Sequence, residues 1–272
     1  MPRADETGVD ATGRTAAEVY SELSELVGGL AHEIRNPLST IRLNMELLAE
    51  DFQEAESGGG PQRQRDRRAR AKIELVRQEC DRLQQLLGDF LDFARQESLS
   101  LEPGNLNEEI GQLLEFFAAR AEEAGVEVIR YLDPAVPKVQ LDRETFRSAV
   151  LNLLINAVQA MTEGGQLVVR TRPAGMGVLL ELIDTGPGMD PETLAKAFRA
   201  FFSTKQGGSG LGLPTARKIV EAHGGSIDVE TAVGRGTRVS IWLPTPPRLA
   251  TQDAEASPPG PQRSGQLDAP AS

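Results

Sequence analysis

Apolar residues in the first third of the chain recur every three or four positions in two long runs. At about 100° per residue, such spacing places them on one face of a helix, so each run predicts a long amphipathic helix. The first run comprises Leu23, Leu26, Leu30, Ile34, Leu38, Ile41, Met45, Leu48 and Phe52. The second comprises Ile73, Val76, Cys80, Leu83, Leu87, Phe90 and Ala94. The helix breakers SGGGP at 57–61 separate the runs and predict an antiparallel hairpin.

The second run has the heptad spacing of helices that pack in coiled coils or bundles. A single hairpin buries too little of such a seam by itself. Two hairpins that pair into a four-helix bundle would cover it. The pattern therefore predicts a homodimer.

The region after about residue 105 mixes helical and strand patterns. Helices are predicted near 106–123, 142–161, 191–198 and 213–223, and strands near 126–132, 166–172, 177–184, 226–231 and 236–243. This pattern indicates a two-layer α/β domain. The whole chain is thus predicted to comprise a disordered tail (1–18), the hairpin (19–98), a linker (99–105), the second domain (106–245) and a disordered Pro-rich tail (246–272). We expect the second domain to swing on the linker near Pro103 and Gly104.

The composition excludes several classes of protein. The 272 residues carry a net charge of −11, which argues against nonspecific nucleic-acid binding. The arginines between 63 and 70 lack interleaved aromatics, so we interpret them as a solvated helix start. No apolar stretch approaches the roughly 20 residues of a membrane helix, and the N-terminus is not a secretory signal. We expect a cytoplasmic protein without membrane insertion, in which Cys80 is a small buried apolar residue.

His32 is one of only two histidines in the chain. It follows Leu30 by two residues, about 200° around the helix, and should therefore point away from the apolar stripe. Glu33 is adjacent, and Asn36 lies one turn later on the same side. A neutral imidazole is a nucleophile, and a neighbouring carboxylate can orient it and take its second ring proton. An ordinary exposed histidine is the alternative. Because the apolar phase continues past Pro37, we expect a continuous but kinked helix.

Asn152 and Asn156 share one face of a predicted helix inside an apolar run. Buried amides need hydrogen-bond partners, so this face lies against either a structural network or a polar site. An amide oxygen is also a ligand for Mg²⁺, whose other ligands are commonly waters and phosphate oxygens.

Asp184 ends a predicted strand and begins the sequence DTGPGM, which includes Gly186 and Gly188. A carboxylate at this position can accept a hydrogen bond from an exocyclic amino group. The glycines let the backbone approach a flat ligand closely. A simple Gly-Pro turn after a strand remains the alternative.

The glycine loop, GGSGLGL at 207–213, opens a predicted helix. Free amides at a helix N-terminus and the helix dipole both favour an anion. The loop fits neither the P-loop nor the dinucleotide pattern. Lys205, just before it, is either a phosphate ligand or a solvated cation, whereas Phe198, Phe201 and Phe202 are expected to pack in a short lid. The other histidine, His223, precedes two glycines and is interpreted as a helix C-cap.

Four segments resemble the boxes of two-component sensor histidine kinases, in the family's order, over about residues 28–243. HEIRNPL at 32–38 resembles the phospho-acceptor box, NLLINA at 152–157 the N box, DTGPGM at 184–189 the adenine box, and the glycine loop the second glycine box. The resemblance implies an α+β fold: a dimeric antiparallel helical hairpin that forms a four-helix bundle, followed by an α/β sandwich ATP-binding domain with a mixed sheet. Gyrase and heat-shock chaperone ATPases share that second domain.

The resemblance also implies roles for individual residues. His32 would be phosphorylated from ATP, Glu33 would accept its proton, and Asn36 would position water for dephosphorylation of a partner. Asn156 would bind Mg²⁺, and Asp184 the adenine amine. The remaining ATP-binding positions are Asn152, Gly186, Gly188, Lys205, Gly208, Gly210, Leu211 and Gly212.

The implied partners are a second copy of the chain and a separate response regulator, whose receiver aspartate would take the phosphoryl group. A separate sensor protein would deliver the signal, unless the chain is a truncated core. One alternative is an ATPase of the same superfamily. It is disfavoured because Asn152 stands where those enzymes carry a water-activating Glu, and an amide is no general base. The other alternative is a non-catalytic, ATP-binding dimeric scaffold.

Overall fold

The computed structural model describes residues 16–56, 62–95, 99–205 and 208–245. The predicted C-terminal tail (246–272) lies outside the described residues. So does the predicted N-terminal tail (1–18), apart from residues 16–18, which belong to the first helix. Gly207 of the glycine loop also lies outside them.

Two long helices form the predicted hairpin: α1 (Ala16–Glu56) and α2 (Gln62–Ala94). Helix α1 continues through Pro37 without interruption, which confirms the expected continuity. Polar contacts link the helices near their turn, where the Lys72 ammonium donates to the Asp51 carboxylate at 2.7 Å and to the Leu47 carbonyl at 2.9 Å. The two helices therefore pack side by side in opposite directions.

The apolar seam of α2 is only partly covered. Val76, Leu83 and Phe90 are half-buried on the side that faces α1. Ile73 and Leu87 are 54% and 51% exposed. Cys80 is exposed as well, so the expectation that it is buried is wrong for the single chain. The reason is that one partner helix covers only one side of a heptad seam.

The second domain follows the predicted order of helices and strands. Its helices are α3 (Leu106–Glu123), α4 (Arg143–Ala160), α5 (Pro191–Lys196) and α6 (Gly212–Ala222). Its strands are β1 (Glu102–Gly104), β2 (Val126–Leu132), β3 (Val139–Leu141), β4 (Gly165–Ala174), β5 (Gly177–Asp184), β6 (Ser226–Thr231) and β7 (Thr237–Pro244). Five strands form one mixed sheet in the order β2-β4-β5-β7-β6, in which only the β2–β4 pair is parallel.

Helices α3, α4 and α6 cover one face of this sheet and enclose the core. Alternate residues of the central strand β5 point into it, among them Val178, Leu180 and Leu182, all at most 2% exposed. Asn105 and Asp142 begin α3 and α4 with side chains that accept backbone N–H groups. The result is the expected two-layer domain.

Strands β1 and β3 pair antiparallel in a small separate sheet that the sequence did not predict. Pro103 and Gly104 lie opposite Gln140 and Val139 in this pairing. The hinge expected near Pro103 and Gly104 is therefore wrong in its placement, because both residues are held in β1.

Among the described residues, no helix contains an apolar stretch long enough to cross a bilayer.

Candidate functional site: an exposed histidine and a nucleotide cavity

The structure places His32 and Asn36 on the exposed side of α1, as their helical phase predicts. Glu33 is half-buried and turned towards α2, where its carboxylate lies 3.9 Å from the Arg82 guanidinium. His32 is therefore accessible to a second domain or protein. Glu33, next to it, is held against the neighbouring helix.

A cavity of about 610 Å³ lies between α4, the end of β5 and the segment before α6. Its volume is in the range of small-molecule and cofactor sites. Most of the candidate ATP-binding residues line it: Asn152, Asn156, Asp184, Gly188, Lys205, Gly208, Gly210 and Gly212. Gly186 and Leu211 do not. Leu211 is fully buried at the N-cap of α6, so only its backbone is available to a ligand.

Asp184 is the last residue of β5 and is 7% exposed. Its Oδ1 accepts the backbone N–H groups of Gly186 at 2.9 Å and Thr237 at 3.1 Å. Burial raises the pKa of this carboxyl, although the two N–H groups and the charge of Lys205 oppose the shift. The backbone contacts fix the orientation of the carboxylate at the wall of the cavity.

Lys205 reaches across the cavity to α4. Its ammonium donates to the backbone carbonyl of Asn156 at 2.8 Å and lies 3.4 Å from Oε1 of Gln159. Burial lowers the pKa of Lys205 to about 8, and the nearby charge of Asp184 opposes the shift. An ammonium that is partly stripped of water is well suited to exchange these contacts for an anionic ligand.

The glycine loop contacts both the lid and α4. Gly210 has a φ of 66°, and a Cβ there would lie 2.6 Å from the backbone of Phe201 and Phe202. A Cβ at Gly212 would lie 3.2 Å from Nδ2 of Asn156. Side chains at these positions would therefore separate the loop from the lid and from Asn156. The loop also leads into α6, whose first amides are available to an anion.

Sequence reasoning missed several residues that line the cavity. Ile155, Leu182, Met189 and Val239 supply apolar wall. Leu182 and Val239 are direct neighbours across β5 and β7, and the strand alternation could have revealed that they share a face.

Two other missed residues come from the hairpin. Gln85 and Asp89 of α2 line the same cavity, and Nε2 of Gln85 donates to Oδ1 of Asp89 at 2.7 Å. No local sequence pattern indicates this contact, because it depends on how the second domain lies against the hairpin.

His223 has a structural position, as predicted. It is the C-cap residue of α6 and only 3% exposed. Its Nε2 accepts the Asp142 N–H at 3.1 Å, which assigns the ring proton to Nδ1, and Nδ1 donates to the Ile219 carbonyl at 2.8 Å. The ring therefore joins the end of α6 to the start of α4.

The cavity fits a nucleoside triphosphate. A buried carboxylate and apolar walls suit a base with an exocyclic amine, whereas the glycine loop and Lys205 suit phosphate oxygens. Among the described residues, no group of three or more His, Cys, Asp or Glu side chains could hold a metal ion. The Asn156 amide, together with phosphate oxygens and waters, is a donor set that suits Mg²⁺.

Comparison with known families agrees with this two-part arrangement. Residues 22–99 match the His Kinase A phospho-acceptor domain, and residues 141–247 match the Histidine kinase-, DNA gyrase B-, and HSP90-like ATPase family. The sensor histidine kinase ZraS of Escherichia coli K12 is 33% identical over 222 residues, which are 82% of this chain and 45% of that protein. Its counterpart in Klebsiella oxytoca is 36% identical over 236 residues, which are 86% and 48%. The chain thus spans about half the length of these relatives.

Two solved structures extend the comparison. Histidine kinase ThkA in complex with response regulator protein TrrA has a TM-score of 0.67 at 25% identity, covering 85% of this chain and 64% of that one. Full-length ShkA in complex with AMPPNP has a TM-score of 0.57 at 30% identity, covering 81% and 45%. Both domains, their order and the sequence relatives lead to one assignment: the chain belongs to the sensor histidine kinase family and contains its phosphoacceptor and ATP-binding domains.

Proposed function

We propose that this chain is an ATP-dependent protein histidine kinase that phosphorylates His32 and passes the phosphoryl group to an aspartate of a separate response regulator. One observation carries the proposal: an exposed histidine within HEIRNPL and a nucleotide-sized cavity occur in the same chain. ThkA, one of the structural relatives, was solved with a response regulator, which supports a receiver domain as the second acceptor.

ATP is the substrate that the cavity suits best. The Asp184 carboxylate would accept the adenine amine through Oδ2, because backbone N–H groups already occupy Oδ1. The glycine loop and Lys205 would hold the triphosphate, with Gly188 and Asn152 at the wall. ShkA was solved with AMPPNP, an ATP analogue, which supports this assignment.

Asn156 would hold Mg²⁺ through its side-chain oxygen. When bound there, the ion would neutralise charge on the phosphate oxygens during transfer. Phosphoryl transfer needs mainly positioning and charge neutralisation, and the loop amides and the Lys205 ammonium contribute to the second.

Transfer to His32 begins with a neutral ring nitrogen. Its lone pair attacks the γ-phosphorus, a P–N bond forms, and the bond to the β,γ-bridging oxygen breaks with its electron pair leaving on ADP. The proton on the other ring nitrogen passes to the Glu33 carboxylate, its neighbour on α1. In the second transfer a regulator carboxylate oxygen attacks the phosphorus and the P–N bond breaks with its electron pair returning to the ring nitrogen. The proton held by Glu33 returns to the other ring nitrogen, which regenerates neutral His32.

The remaining polar residues fit this chemistry. Asn152 lines the cavity but has no basic oxygen to activate water, so transfer to histidine is favoured over ATP hydrolysis. Asn36, exposed one turn after His32, would position water for hydrolysis of the regulator phosphate. Phosphatase activity is thus the second proposed activity of the hairpin.

The active form would be a homodimer. Exposed apolar residues recur at seven-residue steps along both helices, at 38, 45 and 52 in α1 and at 73, 80 and 87 in α2. A second hairpin packed on these positions would complete the four-helix bundle.

The direct test is incubation of the protein with ATP labelled at the γ-phosphate. Wild type should acquire a phosphate that is acid-labile and stable in base, whereas His32→Gln should remain unlabelled while binding ATP as wild type does. Labelled wild type should then lose its phosphate to one receiver domain in a survey of regulators. Equal labelling of His32→Gln would refute the assignment, and rapid ATP hydrolysis unaffected by this substitution would favour an ATPase.

A further inference from the structure

The second domain touches its own hairpin at two places that the kinase assignment does not use. In the first, the Phe201 ring lies against Gly29 of α1. Ring atoms Cε2 and Cγ of Phe201 are 2.9 and 3.0 Å from the position that a Cβ at Gly29 would occupy. The missing side chain thus leaves a notch on α1, and Phe201 fills it.

In the second contact, Lys218 of α6 caps the end of α2. Its ammonium donates to the carbonyls of Phe93 at 2.7 Å and Arg95 at 3.0 Å, and lies 5.3 Å from the centre of the Phe93 ring. The last carbonyls of a helix lack partners within it and favour a cation. Both contacts therefore attach the nucleotide-binding domain to the hairpin of the same chain.

This attachment places the nucleotide cavity beside His32. Gly29 precedes His32 by three residues, about one helical turn or roughly 4.5 Å along the axis. Gln85 and Asp89, which line the cavity, lie on α2 within two turns of Arg82, the ion-pair partner of Glu33. His32 does not line the cavity, so the transfer requires a further movement of the domain.

The backbone of Phe201 also lies close to Gly210 of the glycine loop. Phe201 has a φ of 62°, which is uncommon for a residue with a side chain. The close approach of Gly210 to the backbone of Phe201 and Phe202 holds this turn. The residue that fills the notch on α1 thus lies against the loop that would hold the triphosphate.

We infer that each chain phosphorylates its own His32, with Phe201 seated against Gly29 as the contact that positions the nucleotide-binding domain. This inference rests on the proposed function and specifies which subunit donates the phosphoryl group. The P–N bond forms on the His32 ring of the chain that holds the ATP. The bond to the β,γ-bridging oxygen breaks, and ADP leaves from that same chain. Phe201 and Gly29 are positioning residues.

Mixed dimers with two different affinity tags test the direction of transfer. One dimer pairs His32→Gln with Asp184→Asn, so that one chain can bind ATP and the other carries the acceptor. We expect no label above the background of either homodimer. The matched control pairs wild type with a chain that carries both substitutions, and it should retain about half of the label of wild type. Label on the first dimer and none on the control would overturn the inference.

Adjacent glycines provide a matched test of the positioning contact. Gly29→Ala should lower the maximal labelling rate by roughly tenfold or more with an unchanged Kd for ATP, because small displacements of reacting groups are costly. Gly28→Ala adds the same methyl where no atom lies within 4 Å, and should label as wild type. Phe201→Leu combined with Gly29→Ala should recover part of the rate. A wild-type rate in Gly29→Ala would overturn the role of the notch.

Failure of this inference can be distinguished from failure of the proposed function. If wild type itself acquires no phosphate on histidine, the kinase proposal fails. If wild type is labelled and the first mixed dimer is labelled too, only the assignment to one subunit fails.

Discussion

The nucleotide-binding domain buries its large apolar side chains, whereas the hairpin leaves many of its own exposed. The domain encloses its own, and side chains such as Phe146, Leu154 and Leu180 are at most 1% exposed. Among the large apolar side chains of the hairpin between 26–52 and 64–95, where burial is described, only Leu48 and Leu86 are buried, whereas Leu38, Met45 and Phe52 are at least half exposed. The domain therefore has a complete core, and the hairpin has half of one.

The difference in burial distinguishes the domain that would bind ATP from the hairpin that carries His32. A domain with its own core can hold a nucleotide without a partner. The first helix of the hairpin exposes an apolar stripe on one side and His32 on another, and in the proposed homodimer a second copy would cover the stripe. The following predictions test that contrast, in order of decreasing effect.

The largest effect is expected in the core of the nucleotide-binding domain. Leu154 on α4 is fully buried, so Leu154→Ala should lower the free energy of unfolding by about 2–5 kcal/mol. Chemical denaturation followed by circular dichroism would measure it. Leu101→Ala removes the same atoms from a side chain that is 43% exposed and should have a much smaller effect. Equal losses would mean that the domain core is not closed.

A substitution in the hairpin is expected to have a smaller energetic effect than one in the domain core. The effect should appear as dissociation of the proposed dimer. Leu87→Asp places a charge on the exposed half of the α2 seam and should raise the dimer Kd at least tenfold by sedimentation. The Cys80 thiol, one heptad away, should then react faster with a maleimide. Leu75→Asp is the control: Leu75 is 46% exposed but about 200° around the helix from Ile73, and its substitution should leave the dimer intact. Unchanged sedimentation of Leu87→Asp would contradict the proposed bundle.

The smallest effect is expected at the outer face of the sheet, where a buried carboxylate pairs with arginines. Glu181 is 3% exposed and accepts two hydrogen bonds from Arg170, at 2.7 and 3.0 Å. These bonds hold its pKa below the ordinary value of 4.5. The stabilisation is therefore present above that value and is lost as the pH falls through the lowered pKa.

Glu181→Gln should accordingly cost about 1–2 kcal/mol at pH 7, because one partner of a charged hydrogen bond is replaced by a neutral one. The difference from wild type should shrink as the pH is lowered below 4.5. Thermal denaturation at several pH values would measure both. A difference that is constant with pH would rule out the carboxylate as its source.

Much of the fold follows from local pattern. The predicted bounds of α3, β2, β5 and β6 agree with the structure, because each carries a helical period or a run dense in Val, Leu and Ile between turn residues. Strands β1 and β3 have three residues each, too short for any period, and were missed.

Part of the lining of the candidate cavity was predictable in the same way. Asn152, Asn156 and Asp184 meet at one cavity because a helix face and a strand end place them there. Gln85 and Asp89 lie far away in sequence and reach the cavity only through the docking of two domains. The exposure of Cys80 was also beyond local pattern, since a heptad seam is the same whether one helix or three helices cover it.

The most direct test of the central claim is to locate the phosphate. Wild-type protein would be incubated with ATP and Mg²⁺, digested at alkaline pH, and analysed by mass spectrometry with electron-transfer fragmentation, which preserves phosphohistidine. The account predicts phosphate on His32 alone, with none on His223, which is buried and hydrogen-bonded at both ring nitrogens. Phosphate on any other residue, with His32 unmodified, would contradict it.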